Sequence, residues 1–226
     1  MVFDTLHGET VSPDEFIAQI KAPEFPCVGA KSAAARGNLK IVRARDITSG
    51  WNDLDIHREL LNWADEYDGK DSNLRSLVVL FDGPTTLSET AFEKAMWERL
   101  QSFAAKDAWL GEDFASSVSA DPDDPHFSVS FGGEAYFVVG LHPRASRPAR
   151  RFAAPAMVFN LHDQFEKLRA QGRYDRMRET IIERDIAIAG TINPMLAQHG
   201  EVSAARQFSG RAVGDDWKCP FQDPRA

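Results

Sequence analysis

The sequence predicts an α+β domain: four or five strands in one mixed, mainly antiparallel sheet, packed with helices. Three observations carry this. Leu74–Phe81 is expected to be a strand buried on both faces, because its Leu77–Phe81 portion is a continuous apolar run. Phe127, Val129 and Phe131 alternate with Ser128 and Ser130, a half-buried strand pattern, and Gly132-Gly133 then turns the chain into Glu134–Leu141 as its hairpin partner. Around these strands lie segments with helical spacing and helix start signals.

Taken in order, Ser12-Pro13-Asp14-Glu15 opens the first helix, with Ser12 as N-cap, Pro13 at the first helical position and Glu15 completing a capping box. That helix must stop before Pro23. The small-residue run Ala30–Ala35 follows, and Gly37 precedes a strand over Leu39–Arg45. Asp53–Tyr67 is helical, with Leu60, Leu61, Ala64 and Tyr67 at matching spacing. Ser88 starts a long helix carrying Phe92, Met96 and Phe103 on one face. After the hairpin comes a basic stretch, His142–Arg151, then a strand at Ala156–Asn160. Asn160 is expected to cap a helix running through Leu168, and Tyr174–Ile188 forms another. From Gly190 onward the chain is polar and rich in Gly and Pro. No internal repeat or linker-like shift divides the 226 residues, so a single domain is expected over 1–226.

Composition narrows the function. Hydrophobic residues at 43 % can build a core, which excludes a wholly disordered chain. No run approaches the roughly 20 apolar residues of a membrane span. The N-terminal MVFDTLHGET has neither a basic region nor an apolar core, so the expectation is a cytoplasmic protein with reduced cysteines. With 26 basic against 34 acidic side chains the formal charge is -8, unsuited to general binding of nucleic acid or anionic membrane.

Three segments could carry chemistry. Phe25-Pro26-Cys27-Val28-Gly29-Ala30-Lys31 places a thiol where a helix should begin. Backbone N–H groups there stabilise a thiolate, Lys31 adds positive charge one turn on, and Gly29 leaves room for a flat group. Thiolate-ligated haem enzymes use the same Cys-x-Gly arrangement; the plainer reading is a buried apolar cysteine. Arg144, Arg147, Arg150 and Arg151 crowd behind His142 in an otherwise acidic chain. Arginine forks pair with carboxylate or phosphate, so this segment suits haem propionates or a nucleotide, or else is a solvated basic loop. Trp217-Lys218-Cys219-Pro220-Phe221 is either a second thiolate site or a tail anchored by its aromatic residues. His126, His162 and His199 lack metal-ligand spacing, and no Walker loop, dinucleotide fingerprint or Gly-x-Ser-x-Gly elbow is present.

Taken together, FPCVGAKSA, SFGGEAYFVVGLHPRASRPARRF, VFNLHDQFEKLR, NPMLAQHG, RQFSGR and WKCPF resemble the YqcI/YcgG family, from about Glu24 to Phe221. Within it, the chain is similar to the GntA-like branch of haem-dependent guanidino N-hydroxylases. The resemblance implies a monooxygenase with haem b, O2 as co-substrate, an external electron donor, and a small guanidino substrate, arginine-like or cyclic. Non-covalent haem is expected, because no Cys-x-x-Cys-His is present. The family's motif cysteine maps onto Cys27, its second cysteine onto Cys219, and its His-Pro-x-x-Ser-Arg segment onto His142 to Arg147. Thiolate donation favours O–O cleavage, which places Cys27 first as iron ligand, with His142 and Cys219 as alternatives. Lys31, His142, Arg144, Arg147, Arg150 and Arg151 complete the expected cofactor-binding set. A guanidinium needs a carboxylate facing it side-on; Glu134 on the hairpin is the first choice and Glu201 the second. The competing readings are a haem carrier or sensor without turnover, and a cofactor-free protein with a buried Cys27.

Overall fold

The computed structural model describes residues 10–70, 73–196 and 200–226; the first nine residues and His199 lie outside this set. Helix α1 (Pro13–Lys21) starts as its pattern requires: Ser12 Oγ accepts from the Glu15 N–H at 3.2 Å while Glu15 Oε2 accepts from the Ser12 N–H at 2.7 Å. It buries Phe16 and Ile20 and ends at Ala22, ahead of Pro23. Helix α2 (Val28–Ala35) begins directly after Cys27.

Strand β1 (Leu39–Asp46) pairs in parallel with β2 (Ser76–Gly83), Leu39 opposite Ser76 and Val42 opposite Val79. Helix α3 (Asp53–Asp65) makes the crossover that two parallel strands require. Helix α4 (Glu89–Leu110) has Ser88 as its N-cap and ends on left-handed Gly111. Strands β3 (Val129–Phe131) and β4 (Glu134–Leu141) form the expected hairpin. Its turn residues Gly132 and Gly133 both have positive φ, 58° and 76°, which two-residue turns of this type demand. Strand β5 (Ala156–Leu161) enters between β2 and β4, antiparallel to each, giving the order β1-β2-β5-β4-β3. Helices α5 (His162–Ala170), α6 (Tyr174–Ala189) and the short α7 (Ala205–Phe208) follow.

Two expectations need correction. Phe127 to Phe131 is buried throughout, Ser128 and Ser130 included, because α3 and α4 cover one side while chain packs on the other. Ser130 Oγ repays its burial by accepting from the Ala115 N–H at 2.9 Å. Asn160 does not cap α5: it is a strand residue, and Leu161 holds the cap position with no side-chain bond. Asn160 instead bridges strands, its Oδ1 accepting from Ser76 Oγ at 2.7 Å and its Nδ2 donating to the Phe137 carbonyl at 3.2 Å. A polar side chain inside a sheet answers to its neighbours across the strands before it answers to the next helix.

The alternation of β2, β4 and β5 divides the molecule into two faces. Leu77, Val79 and Phe81 of β2, with Met157 and Phe159 of β5 and Val138 of β4, pack against α3 and α4 in the larger core. On the opposite face Val78, Val158 and Val139 lie side by side in register, with α1 and α2 over part of this surface. No helix among the described residues is long and apolar enough to cross a membrane.

Candidate functional site

The second face is incompletely filled. Residues of α1, α2, α5 and α6 line a cavity of about 350 Å³, floored by Val78, Val139 and Val158 and roofed by Leu196, Val202 and Ala204. Phe25, Phe137, Phe152 and Ile181 make its walls largely apolar. The size lies within the roughly 300–1,000 Å³ typical of small-molecule and cofactor sites.

Cys27 lines this cavity. As the N-cap of α2 its Sγ accepts from the Ala30 N–H at 3.4 Å. Burial is the larger effect and raises the thiol pKa, with the N–H groups of Ala30 and Gly29 and the charge of Arg150 opposing it. Gly29 also belongs to the wall: a Cβ there would lie 3.0 Å from Leu74 Cδ1 and 3.9 Å from Cys27 Sγ. The glycine keeps the approach to the sulfur clear.

The arginine segment separates into two pairs. Arg147 and Arg150, bounding a single 3-10 turn, face the cavity. Arg147 Nε and Nη2 both donate to Asp185 Oδ2, at 2.9 and 2.5 Å, and Nη2 also reaches the Thr191 carbonyl. Arg150 donates to the carbonyls of Gly140, Gln207 and Phe208 at 3.0–3.2 Å, and burial brings its pKa down to about 10. Arg144 and Arg151 are exposed and outside the cavity wall; Arg151 donates to the Ala145 and Ser146 carbonyls of its own loop.

The other expected site residues lie elsewhere. Lys31 donates to the Pro23 carbonyl at 2.8 Å and does not line the cavity. His142 belongs to the opposite face, its ring stacked on Phe92 at 4.4 Å, and burial lowers its pKa. Cys219 packs against the larger core, where burial raises its thiol to about 12; it and Cys27 are both free thiols. Trp217 and Phe221 flank it, each against Trp97, which makes this segment an aromatic anchor. Glu134 is half-buried near Asp163 and Lys167, outside the cavity wall, with burial raising its pKa. Glu201 is exposed, between Gly200 and Val202 of the roof.

Sequence reasoning missed several cavity residues. Arg75, Arg169 and Arg178 bring the arginines on the wall to five, whereas Asp185 is its one carboxylate among the described residues. His126 and His162, set aside on spacing, also reach the cavity. Spacing could have shown Asp185: Met177, Ile181 and Asp185 follow at intervals of four, which sets a carboxylate on the apolar stripe of α6. Among the described residues, no three His, Cys, Asp or Glu side chains converge as a site for a bare metal ion.

The model of the YqcI/YcgG family matches residues 16–222. The chain belongs to that family. The match spans α1 to Phe221, so in this YqcI/YcgG protein it includes Cys27, the arginine turn, α6 and the roof of the cavity. Comparison with curated proteins and with solved structures finds no match.

Proposed function

We propose that the protein holds haem b non-covalently in the apolar cavity, with Cys27 as the residue that would supply a thiolate to the iron, and hydroxylates a nitrogen of a guanidino substrate using O2 and an external reductant. The observation that carries this reading is that Cys27, alone of the three candidate iron ligands, lines the cavity. The residues present suit the group. The walls offer apolar surface to a macrocycle, the α2 N-terminus offers N–H groups to a thiolate, and Arg150, which meets only carbonyls, offers positive charge to a propionate. Bound there, thiolate-ligated haem supplies the activation of O2.

The chain's own residues do the rest. Cys27 supplies the sulfur, and Ala30 N–H and Arg150 favour its anionic form. Gly29 keeps the sulfur approachable. Phe25, Phe137 and Phe152 exclude water, which strengthens every charge interaction inside. Arg147 and Arg150 are fixed by Asp185 and by three carbonyls, so they present charge without reorganising.

The test is uptake of hemin by the purified chain, read as a Soret band near one haem per chain. Cys27→Ala should abolish the native spectrum while Cys219→Ala preserves it, and the ferrous carbonyl complex should show the red-shifted band of thiolate ligation. A globin-like carbonyl band, with haem lost in a His126, His142 or His162 variant, would transfer the ligand to that histidine. Colourless protein that takes up no hemin removes the reading. Turnover is tested with labelled dioxygen: label on nitrogen supports the hydroxylase, and haem binding without guanidino-dependent use of reductant supports the carrier.

A further inference from the structure

Asp185 presents a problem the fold itself does not resolve. Its residue is only 5 % exposed, yet Arg147 takes Oδ2 alone and Oδ1 has no hydrogen-bond partner. A buried carboxylate oxygen without a donor is costly, and folded chains rarely keep one without a use. Asp185 also stands on the cavity wall, on the stripe of α6 that otherwise carries Met177 and Ile181. A carboxylate there interrupts an apolar surface, where a leucine would pack without penalty.

We propose that Asp185 is the residue that selects a planar N–H-bearing cation in this cavity, its Oδ1 accepting from a guanidinium nitrogen of the ligand. This rests on the reading of the cavity as the substrate site and assigns it the carboxylate that Glu134 does not provide. Two guanidinium groups would then share one carboxylate: Arg147 on Oδ2 as the fixed partner, the ligand on Oδ1 as the exchangeable one. The Arg147 fork, itself held by the Thr191 carbonyl at 2.6 Å, sets the plane of Asp185 before any ligand arrives. Arg150, which donates only to carbonyls on the same wall, has its charge open to a carboxylate that the ligand carries beside its guanidinium. The ligand class is therefore a guanidino acid. Asp185 is a specificity-determining residue: it touches substrate but neither gains nor loses a proton in the assignment.

The experiment is calorimetric titration of the chain as purified, with its haem content recorded, using L-arginine and L-citrulline as probes. The two share the carboxylate and chain length and differ in a charged guanidinium against a neutral ureido group. The wild type should prefer arginine, and Asp185→Asn should reduce that preference about ten- to hundredfold, the scale of a lost charge-assisted hydrogen bond, while leaving citrulline affinity within about threefold. Equal losses for both probes would mean that Asp185 only holds the fold and would overturn the proposal. So would a wild type that binds neither probe or does not distinguish them. Should Asp185→Asn fail to fold, Asp185→Glu keeps the pair with Arg147 and shifts Oδ1 by one methylene; an unchanged arginine-to-citrulline ratio there overturns the proposal as well. Haem uptake distinguishes the two ideas, since a haem-loaded wild type without arginine preference counts against Asp185 alone, and arginine preference that depends on Asp185 in a chain that takes up no haem counts against the cofactor alone.

Discussion

The two faces of the sheet treat buried charge differently. Under α3 and α4 four carboxylates are buried, Asp53, Glu93, Asp107 and Asp223, and each has a cation from within the chain. Arg99 meets Asp53 at 3.3 Å, Arg211 meets Glu93 at 2.5 Å, and Arg225 meets both Asp107 and Asp223. Asp107 is the most heavily served: it accepts from Arg225 Nη1 at 2.7 Å and from the Gly132 N–H at 2.9 Å, with His57 Nε2 at 2.5 Å. On the cavity face Arg147 is matched by Asp185, and Arg75 and Arg169 by Glu66 and Glu166, which lie off the wall. Arg150 there donates only to backbone carbonyls. Charge that is matched internally belongs to the architecture; the Arg150 charge, held beside an apolar cavity by carbonyls alone, is an appeal to a ligand.

That contrast can be broken most forcefully at Asp107. Asp107→Ala leaves Arg225, His57 and the Gly132 N–H without their shared acceptor and should cost about 3–5 kcal/mol of stability, read as a lowered urea midpoint. A loss below about 1 kcal/mol would mean that the closed face does not depend on its charge pairing. On the cavity face, Arg150→Met should weaken haem retention about ten- to hundredfold with a smaller change in the urea midpoint. Hemin transfer to apomyoglobin measures the first and denaturation the second. Arg144→Ala, at an exposed position off the wall, should alter either quantity by no more than about 0.5 kcal/mol; an effect as large as that of Arg150 would extend the site onto the outer loop. The smallest expected effect concerns His142. Burial holds its pKa below the ordinary 6.5, with Glu89 opposing and Arg150 reinforcing the shift. The unfolded chain therefore takes up a proton near that value while the folded chain does not, so stability falls as pH drops through about 6.5 toward the folded pKa. His142→Phe should flatten that slope relative to the wild type, in paired denaturation series at several pH values.

How much of this the sequence disclosed depends on the range of the interaction. Local signals were legible: the Ser12 capping box, the Ser88 cap, the Gly132-Gly133 turn and the thiol at the head of α2 all depend on residues within one turn of each other. The two-faced burial of Leu77–Phe81 was legible too, because a strand apolar at every position has no solvent side. The bridging role of Asn160 is not legible locally, because its partners, Ser76 and Phe137, come from strands far away in the chain. The arginine run is legible as a basic cluster, but not that Arg147 and Arg150 turn inward while Arg144 and Arg151 turn out. That division depends on a 3-10 turn whose carbonyl partners, Gln207 and Phe208, come from the last helix. The hairpin position points to Glu134, but the fold puts its side chain near α5, and the carboxylate that reaches the cavity comes from α6 instead.

The position of β5 has a consequence for the order of assembly. The parallel β1–α3–β2 unit and the β3–β4 hairpin each join segments adjacent along the chain, and each can form from local contacts. Neither completes the sheet, because the strand that belongs between β2 and β4 is the last of the five to be synthesised. Until residue 161 has left the ribosome, β2 and β4 each present an open edge, and both are rich in apolar residues. Val158 supplies the middle of the cavity floor, between Val78 and Val139. The floor therefore comes into being in the same event that closes both edges. Occupation of the cavity can only follow that closure, so any ligand it takes is received by a sheet already complete, and the vulnerable interval in this protein's life precedes ligand binding.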